Sequence, residues 1–252
     1  MPSNVAPRRS SLRLSLGALL ALLLLFDSME ARAARCPAPG APTLESVDAE
    51  ARIDFLRTAI DREIRDVDLW SWSWGSIYVA AGGVQAIGAA VTHDRGLRVD
   101  LTVGAISAGV GALTLYGLPL RVTLPLRDAR QGAGKGDRCR VLAEYEAALE
   151  SAANTQRLGG GWVPHAGNVL FNVGLALVLG WGFRRWKSAA ISAGIGVVVG
   201  EANILTQPHR LPGVVERYRA GHLDDADADG VSPAMAFAAP PSAAGLTWLV
   251  RF

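Results

Sequence analysis

Few of the side chains that catalysis and metal binding require are present in this chain. It has four histidines and two cysteines, with no Cys-x-x-Cys motif and no His-x-x-x-His pair. It also lacks a glycine-rich phosphate loop and a nucleophile–base signature. The formal net charge is only +2, which creates no field of the kind that attracts nucleic acid. The sequence therefore predicts a non-enzymatic protein with no metal, no cofactor and no nucleic acid partner.

Apolar sequence, in contrast, is abundant. Half of the residues are hydrophobic, and the mean hydropathy is +0.23. Four apolar segments of about 17 to 22 residues match the thickness of a bilayer core at helical rise. They cover residues 75–91, 99–120, 166–183 and 188–206. Six of the seven tryptophans flank these segments, as interfacial aromatic belts do. The sequence predicts an all-α membrane protein with four transmembrane helices and the lipid bilayer as a partner.

Two short motifs occur twice in the chain. The first motif is Ala-Gly-Gly-Val at 81–84 and Ala-Gly-Asn-Val at 166–169. The second motif is Ile-Ser-Ala-Gly-Val-Gly at 106–111 and Ile-Ser-Ala-Gly-Ile-Gly at 191–196. Both pairs have the same offset, which two chance matches of small residues would rarely share. We therefore predict tandem duplicated helical hairpins, each formed by two of the four spans.

Each predicted repeat begins with an amphipathic helix that precedes its hairpin. Repeat 1 covers residues 34–127 with such a helix over 43–69, and repeat 2 covers 128–210 with one over 138–157. Apolar residues recur at helical spacing on one face of both helices. In the first helix they are Ile53, Leu56, Ile60, Ile64 and Val67. We expect each helix either to pack on its own protein or to lie along a membrane surface.

The spans are rich in small residues rather than leucine. Ser192, Gly196 and Gly200 recur every fourth position in the last span, and Gly104 and Ala108 do so in the second. Small residues at this spacing let helix backbones approach closely in lipid. Because such spans are only weakly hydrophobic, we expect them to insert as hairpins and to associate further. The partner would be a second copy, giving a homo-oligomer, or another envelope protein.

The first 33 residues have the pattern of a secretory signal peptide. A basic start precedes a Leu- and Ala-rich run over 14–26, and Ala-Arg-Ala at 31–33 fits a small-x-small cleavage site. An uncleaved anchor is the alternative. Export followed by four spans places both termini on the periplasmic side of a bacterial inner membrane. The basic turn at 184–187 agrees with the positive-inside rule, whereas the basic loop over 121–161 counts against it.

The two cysteines predict one disulfide. Cys36 precedes the first repeat and Cys139 precedes the helix of the second. Both would lie on the oxidising side of the membrane, where disulfides persist. Two unpaired thiols remain the alternative, because an even cysteine count does not prove pairing.

One group of polar residues lies within the predicted spans. His165, Asn168 and Asn172 occupy one helical face of the third span, and Glu201 and Asn203 lie near the same depth in the fourth. We predict that Glu201 faces the third span close to His165 or Asn168, because a carboxylate facing lipid is costly. The group either fixes helix packing through hydrogen bonds or forms a functional site.

Residues 211–252 form a predicted exported tail. Asp225, Asp227 and Asp229 match the start of an EF-hand calcium loop, but Ala236 stands where the last ligand belongs, so we interpret them as an acidic linker. Residues 235–239 and 245–252 predict a small β-hairpin. The ending Gly-x-x-Trp-x-Val-x-Phe resembles the C-terminal sorting signal of outer-membrane β-barrel proteins, which would imply an outer-membrane location.

These observations support three functional hypotheses. The first is a non-enzymatic integral membrane protein of the bacterial envelope with a structural or complex-assembly role. The second is a small channel or transporter with a polar path near Asn168, Asn172 and Glu201. The third is an outer-membrane β-barrel, although the spans are twice the length of barrel strands and lack their alternation.

Overall fold

The structure is a computed structural model that describes residues 35–38, 40–132 and 136–224, without the side chains at 116 and 118–120. Its helices are α1 (Ala49–Val91), α2 (Arg95–Gly132), α3 (Arg138–Gly159), α4 (Trp162–Leu177), α5 (Trp186–Leu205) and α6 (Leu211–Ala220). A 3-10 helix (Pro42–Leu44) precedes α1, and a π-helical segment (Val178–Gly182) extends α4. The predicted signal peptide, the three aspartates Asp225, Asp227 and Asp229, and the predicted β-hairpin lie outside the described residues.

The prediction of an all-α protein with four candidate membrane-spanning helices is confirmed. Four stretches are long and apolar enough to cross a bilayer. They lie in the second half of α1, in Arg95–Leu115, in Trp162–Gly182 and in α5. No strand occurs among the described residues, and the apolar segments are helical, so the outer-membrane β-barrel alternative is disfavoured.

The spans form two antiparallel pairs. Hairpin 1 consists of α1 and α2 joined by a turn at 92–94, and hairpin 2 consists of α4 with its π-helical extension and α5, joined by a turn at 183–185. Each hairpin packs mainly within itself. Apolar helices in lipid gain little from apolar contact alone, so contacts of small and polar residues must stabilise each pair.

The structure does not support a duplication in one ungapped register. In hairpin 1 the first motif lies closer to the turn than the second motif does, whereas in hairpin 2 the second motif is closer. Equivalent motifs therefore occupy different depths in the two hairpins. Similar small-residue sequences arise wherever helices must approach closely, which is a sufficient reason for the match.

The predicted helix over 43–69 is not a separate element. Its residues from Ala49 onward continue into the first span as one helix of 43 residues. No proline separates the two parts, and the single Gly75 is tolerated within a helix. The helix begins later than predicted because Pro42 opens a 3-10 turn instead. In the second half of the chain, glycines at 160 and 161 and Pro208 do interrupt the helix, on either side of hairpin 2.

The polar ends of the helices form a compact unit that we call the head. It comprises α1 up to Trp70, the end of α2, α3 and α6, which pack around one hydrophobic core. The core includes the five apolar positions of α1 that follow helical spacing, together with residues of the other three helices, among them Leu126, Leu142, Tyr145, Leu149, Leu211 and Val215. The head thus has a small hydrophobic core like that of a water-soluble domain, and it is attached to two hairpins with apolar outer surfaces.

The predicted disulfide between Cys36 and Cys139 is present, and it joins the segment before α1 to the first turn of α3. The Cα atoms are 5.2 Å apart, and the bond closes a sequence separation of 103 residues. In the chain-entropy model, a loop of that size contributes about 4 to 5 kcal/mol to the free energy of unfolding. The disulfide therefore adds stability to the head wherever the compartment is oxidising.

Candidate functional site

The structure brings four of the predicted polar residues together between α4 and α5. Nδ1 of His165 lies 2.5 Å from Oε2 of Glu201. The Nδ2 amide of Asn168 donates to Oε1 of Glu201 at 2.9 Å and to the carbonyl oxygen of Val197 at 3.0 Å. Asn172 in turn donates to Oδ1 of Asn168 at 2.9 Å. We call His165, Asn168, Asn172 and Glu201 the hairpin-2 cluster.

The glycines of α5 make room for this cluster. A methyl group at Gly200 would collide with the amide of Asn168, and one at Gly196 would collide with the amide of Asn172. The polar face of α4 therefore lies directly on the small-residue face of α5. The every-fourth small residues and the polar cluster, which the sequence presented as separate signals, are two halves of one contact.

Asn203 does not join the hairpin-2 cluster. Its Nδ2 atom is buried and makes no hydrogen bond to any described residue. The cluster itself lies at the head end of hairpin 2, since His165 is in the first turn of α4 and Glu201 is near the end of α5. Glu201 therefore sits where a carboxylate is less costly than at the bilayer centre.

In hairpin 1, side chains also lie over glycines of the facing helix, but with fewer hydrogen bonds. The amide of Gln85 lies over Gly104, and the ring of Tyr78 lies over Gly111. A Cβ at Gly82 would be 3.3 Å from the Cβ of Ala108, so the two backbones are close there. Part of the small-residue surface of each hairpin is thus covered within its own hairpin.

Two links between the hairpins were not predicted from the sequence. At the turn side, the guanidinium of Arg185 binds both carboxylate oxygens of Asp100 at 2.8 and 2.6 Å and lies against Gly96. At the head side, Nε1 of Trp74 donates to Oγ1 of Thr206 at 2.9 Å. An acidic residue at the start of the second span was the available signal for the first link, but its partner is distant in sequence.

The head contains a buried acidic residue that the sequence pattern assigned to the surface. Glu63 is 1% exposed, and only one of its carboxylate oxygens has a hydrogen-bond partner among the described residues, Nε2 of Gln156 at 2.5 Å. Burial raises the pKa of the Glu63 carboxyl from its ordinary 4.5 to about 7, against the opposing effects of the Gln156 hydrogen bond and the Arg210 charge. Gln156 also accepts from the backbone N–H of Leu211, so the carboxyl is connected to the first turn of α6.

Two other buried charges complete the head. Arg52 is fully buried and donates to Tyr218, to the carbonyl oxygen of Cys36 and to Glu146, the last at 2.5 Å. Arg210, at the junction between α5 and α6, pairs with Asp66 at 3.2 Å. Both arginines join helices that are far apart in sequence, which periodicity cannot reveal. In the part of the chain that the structure describes, no three His, Cys, Asp or Glu side chains are grouped to hold a metal ion.

Comparison with known protein families, curated proteins and solved structures finds no match to this chain. Its function is therefore inferred from the geometry of its own residues.

We predict that Gly200→Ala destabilises hairpin 2, whereas Gly194→Ala does not. The added methyl group at Gly200 displaces Asn168 and breaks its bonds to Glu201 and Val197, which we expect to cost about 1 to 3 kcal/mol. Gly194, on the same helix, has open space around it, so alanine there should be neutral or stabilising by up to about 1 kcal/mol. Unfolding in mixed micelles followed by circular dichroism measures both. Equal effects of the two substitutions would contradict the close packing of Asn168 on Gly200.

We predict that Glu63→Gln removes a pH dependence of head stability. Because the folded pKa of Glu63 is raised, its protonated form stabilises the fold; this contribution is full below about pH 4.5 and is lost as the pH rises through about 7. The wild-type free energy of unfolding should fall across that window by roughly 3 kcal/mol relative to Glu63→Gln. The exposed carboxyl variant Glu45→Gln serves as the control and should keep the wild-type profile. Parallel profiles for wild type and Glu63→Gln would show that burial does not shift this group.

Proposed function

We propose that this chain is a non-enzymatic integral protein of the bacterial inner membrane that assembles or organises an envelope complex. The observation that carries the proposal is how little of the spans the chain covers by itself. In the most apolar window of each span, no more than 17% of the residues are buried. A self-contained four-helix bundle would bury a continuous face of every helix.

The uncovered faces combine large apolar residues with open glycines. Ile87, Ile106, Leu170 and Ile195 are exposed, one on each span. Gly83, Gly109, Gly167 and Gly194 have no neighbouring heavy atom within 4 Å of a built Cβ. Large apolar side chains suit lipid, whereas open glycines suit the close approach of another helix. This mixture favours lateral association, with a second copy as the simplest partner.

The orientation of the chain belongs to the same proposal. The disulfide supports a periplasmic position of the head, because disulfides persist on the oxidising side of the membrane. The opposite ends carry the two turns, and the second turn contains Arg184 and Arg185 and is followed by Lys187, as short cytoplasmic loops do. The chain then has both termini on the periplasmic side, with a stapled head as the surface offered to other envelope components.

A second candidate function rests on the partial exposure of the hairpin-2 cluster. The side chains of His165 and Glu201 are 36% and 29% exposed, although they are hydrogen bonded to each other. A histidine–carboxylate pair reachable from one side of a membrane can bind and release a proton. This geometry supports a small proton- or cation-coupled transporter as the alternative.

We predict that the protein self-associates through a span face. Single cysteines placed at Ile87, Ile106, Leu170 and Ile195 sample the exposed face of each span while the native disulfide stays intact. Oxidation in native membranes should trap a dimer at one or two of these positions and not at the others, because a specific interface has one geometry. Native mass spectrometry in mild detergent should give the same stoichiometry. A monomeric mass without crosslinking at any of the four positions would contradict the assembly role.

We predict that Glu201→Gln leaves both the fold and the proton permeability of proteoliposomes unchanged. Glutamine keeps an acceptor for Asn168 and adds donors, so a purely structural cluster tolerates it. The wild-type protein should not dissipate a pH gradient reported by an entrapped dye, compared with empty liposomes. A wild-type flux that is abolished by Glu201→Gln, while the helical spectrum is retained, would favour the transporter instead.

A further inference from the structure

A groove runs along hairpin 1 from the head into the first span. It has a volume of about 510 Å³, within the range of small-molecule sites. On α1 it extends from Asp68 to Val79, and on α2 from Arg127 to Ala112. At helical rise, the α1 side is about 16 Å long, which is close to the hydrocarbon depth of one lipid leaflet. The groove therefore has the length and position of a lipid chain, not of a transmembrane path.

The mouth of the groove carries one charge of each sign. Nη2 of Arg127 binds both carboxylate oxygens of Asp68 at 2.7 Å. Both side chains are about half exposed, so they remain available to a third group. Asp68 lies just before Trp70, where the polar part of α1 ends, and Arg127 binds it from α2. The mouth is thus at the water–lipid boundary, where phospholipid headgroups lie.

The wall of the groove contains a polar atom that needs a partner. Oγ of Ser71 lines the groove, is buried and makes no hydrogen bond to any described residue. A buried hydroxyl without a partner is costly. It lies between the charged mouth and the apolar residues Gly75, Val79 and Leu115. A phospholipid presents polar groups in the same order: a charged headgroup, an ester carbonyl that can accept from a hydroxyl, and an acyl chain.

We propose that this groove binds one phospholipid that carries a primary ammonium, of the phosphatidylethanolamine class. Its phosphate accepts from Arg127, and its ammonium donates to Asp68. A trimethylammonium headgroup cannot donate to the carboxylate, and an anionic headgroup brings no ammonium to Asp68 and is repelled by it. The site requires the spans to lie in a bilayer but is independent of the assembly role, which the crosslinking experiment tests separately.

Titration of delipidated protein in detergent, monitored by native mass spectrometry, tests the proposal. The probes are phosphatidylethanolamine, phosphatidylcholine and phosphatidylglycerol with the same acyl chains. We expect the ethanolamine lipid to bind about tenfold more tightly than the other two, the gain of one charge-assisted hydrogen bond. Equal affinity for all three lipids, or tighter binding of the anionic one, would overturn the proposal.

Two sets of variants locate the site. Gly75→Leu projects a side chain into the groove, whereas Gly83→Leu, on the same helix, projects into open space. The first should weaken binding of the ethanolamine lipid at least tenfold, and the second should not. Asp68→Asn should abolish the preference for ethanolamine over choline while binding persists, and Arg127→Gln should weaken both. Asp68 and Arg127 are about half exposed, so their variants test the lipid site even if Gly75→Leu fails to fold. Wild-type lipid selectivity in Asp68→Asn would refute the assignment.

Discussion

The contact between a polar side chain and a helical glycine is the interaction on which the membrane part of this protein depends. Lipid tails are as apolar as leucine, so apolar contact alone gives two helices little reason to pair. In hairpin 2, Asn168 and Asn172 lie on Gly200 and Gly196, and in hairpin 1 Gln85 lies on Gly104. Each such contact allows the backbones to come close, and Asn168 also hydrogen bonds across the hairpin to Glu201 and to the carbonyl oxygen of Val197. In both hairpins a polar side chain thus packs on a glycine of the facing helix, even though the repeated motifs lie at different depths.

The head follows different rules, because water is present on its outside. It buries an ordinary apolar core, but it also buries Arg52, Glu63 and Asp66. Removing one partner of a buried charge is strongly destabilising, so we expect these groups to favour this arrangement of the four head helices over others. The disulfide adds to this by restricting the unfolded chain. Because buried charges leave less room for apolar contacts in this small core, a covalent link is a useful source of stability.

Local signals in the sequence predict the parts of the structure that depend on local spacing. Length and apolarity locate the four spans, and a helical face locates His165, Asn168 and Asn172 opposite Glu201. Pairing of the two cysteines is expected from their even number and from the predicted export of the chain. Contacts between distant segments cannot be predicted from local spacing in the sequence. Arg185 with Asp100 and Glu63 with Gln156 combine residues that a single sequence assigns to solvent, because charge normally signals exposure. The repeated small-residue motifs predict a duplication that the structure does not support, since close helix packing can also produce such motifs.

The uninterrupted course of α1 has a mechanical consequence. A helix of 43 residues is a rod of about 64 Å that joins the head to the far side of the membrane without a joint. A tilt of about 5° at the turn end of such a rod moves its other end by about 5 to 6 Å. Hairpin 2, in contrast, is separated from the head by non-helical joints at 160–161 and at 206–210. We therefore expect movement of hairpin 1 to reach the head through a continuous helix, whereas movement of hairpin 2 can be taken up in part at its two non-helical joints.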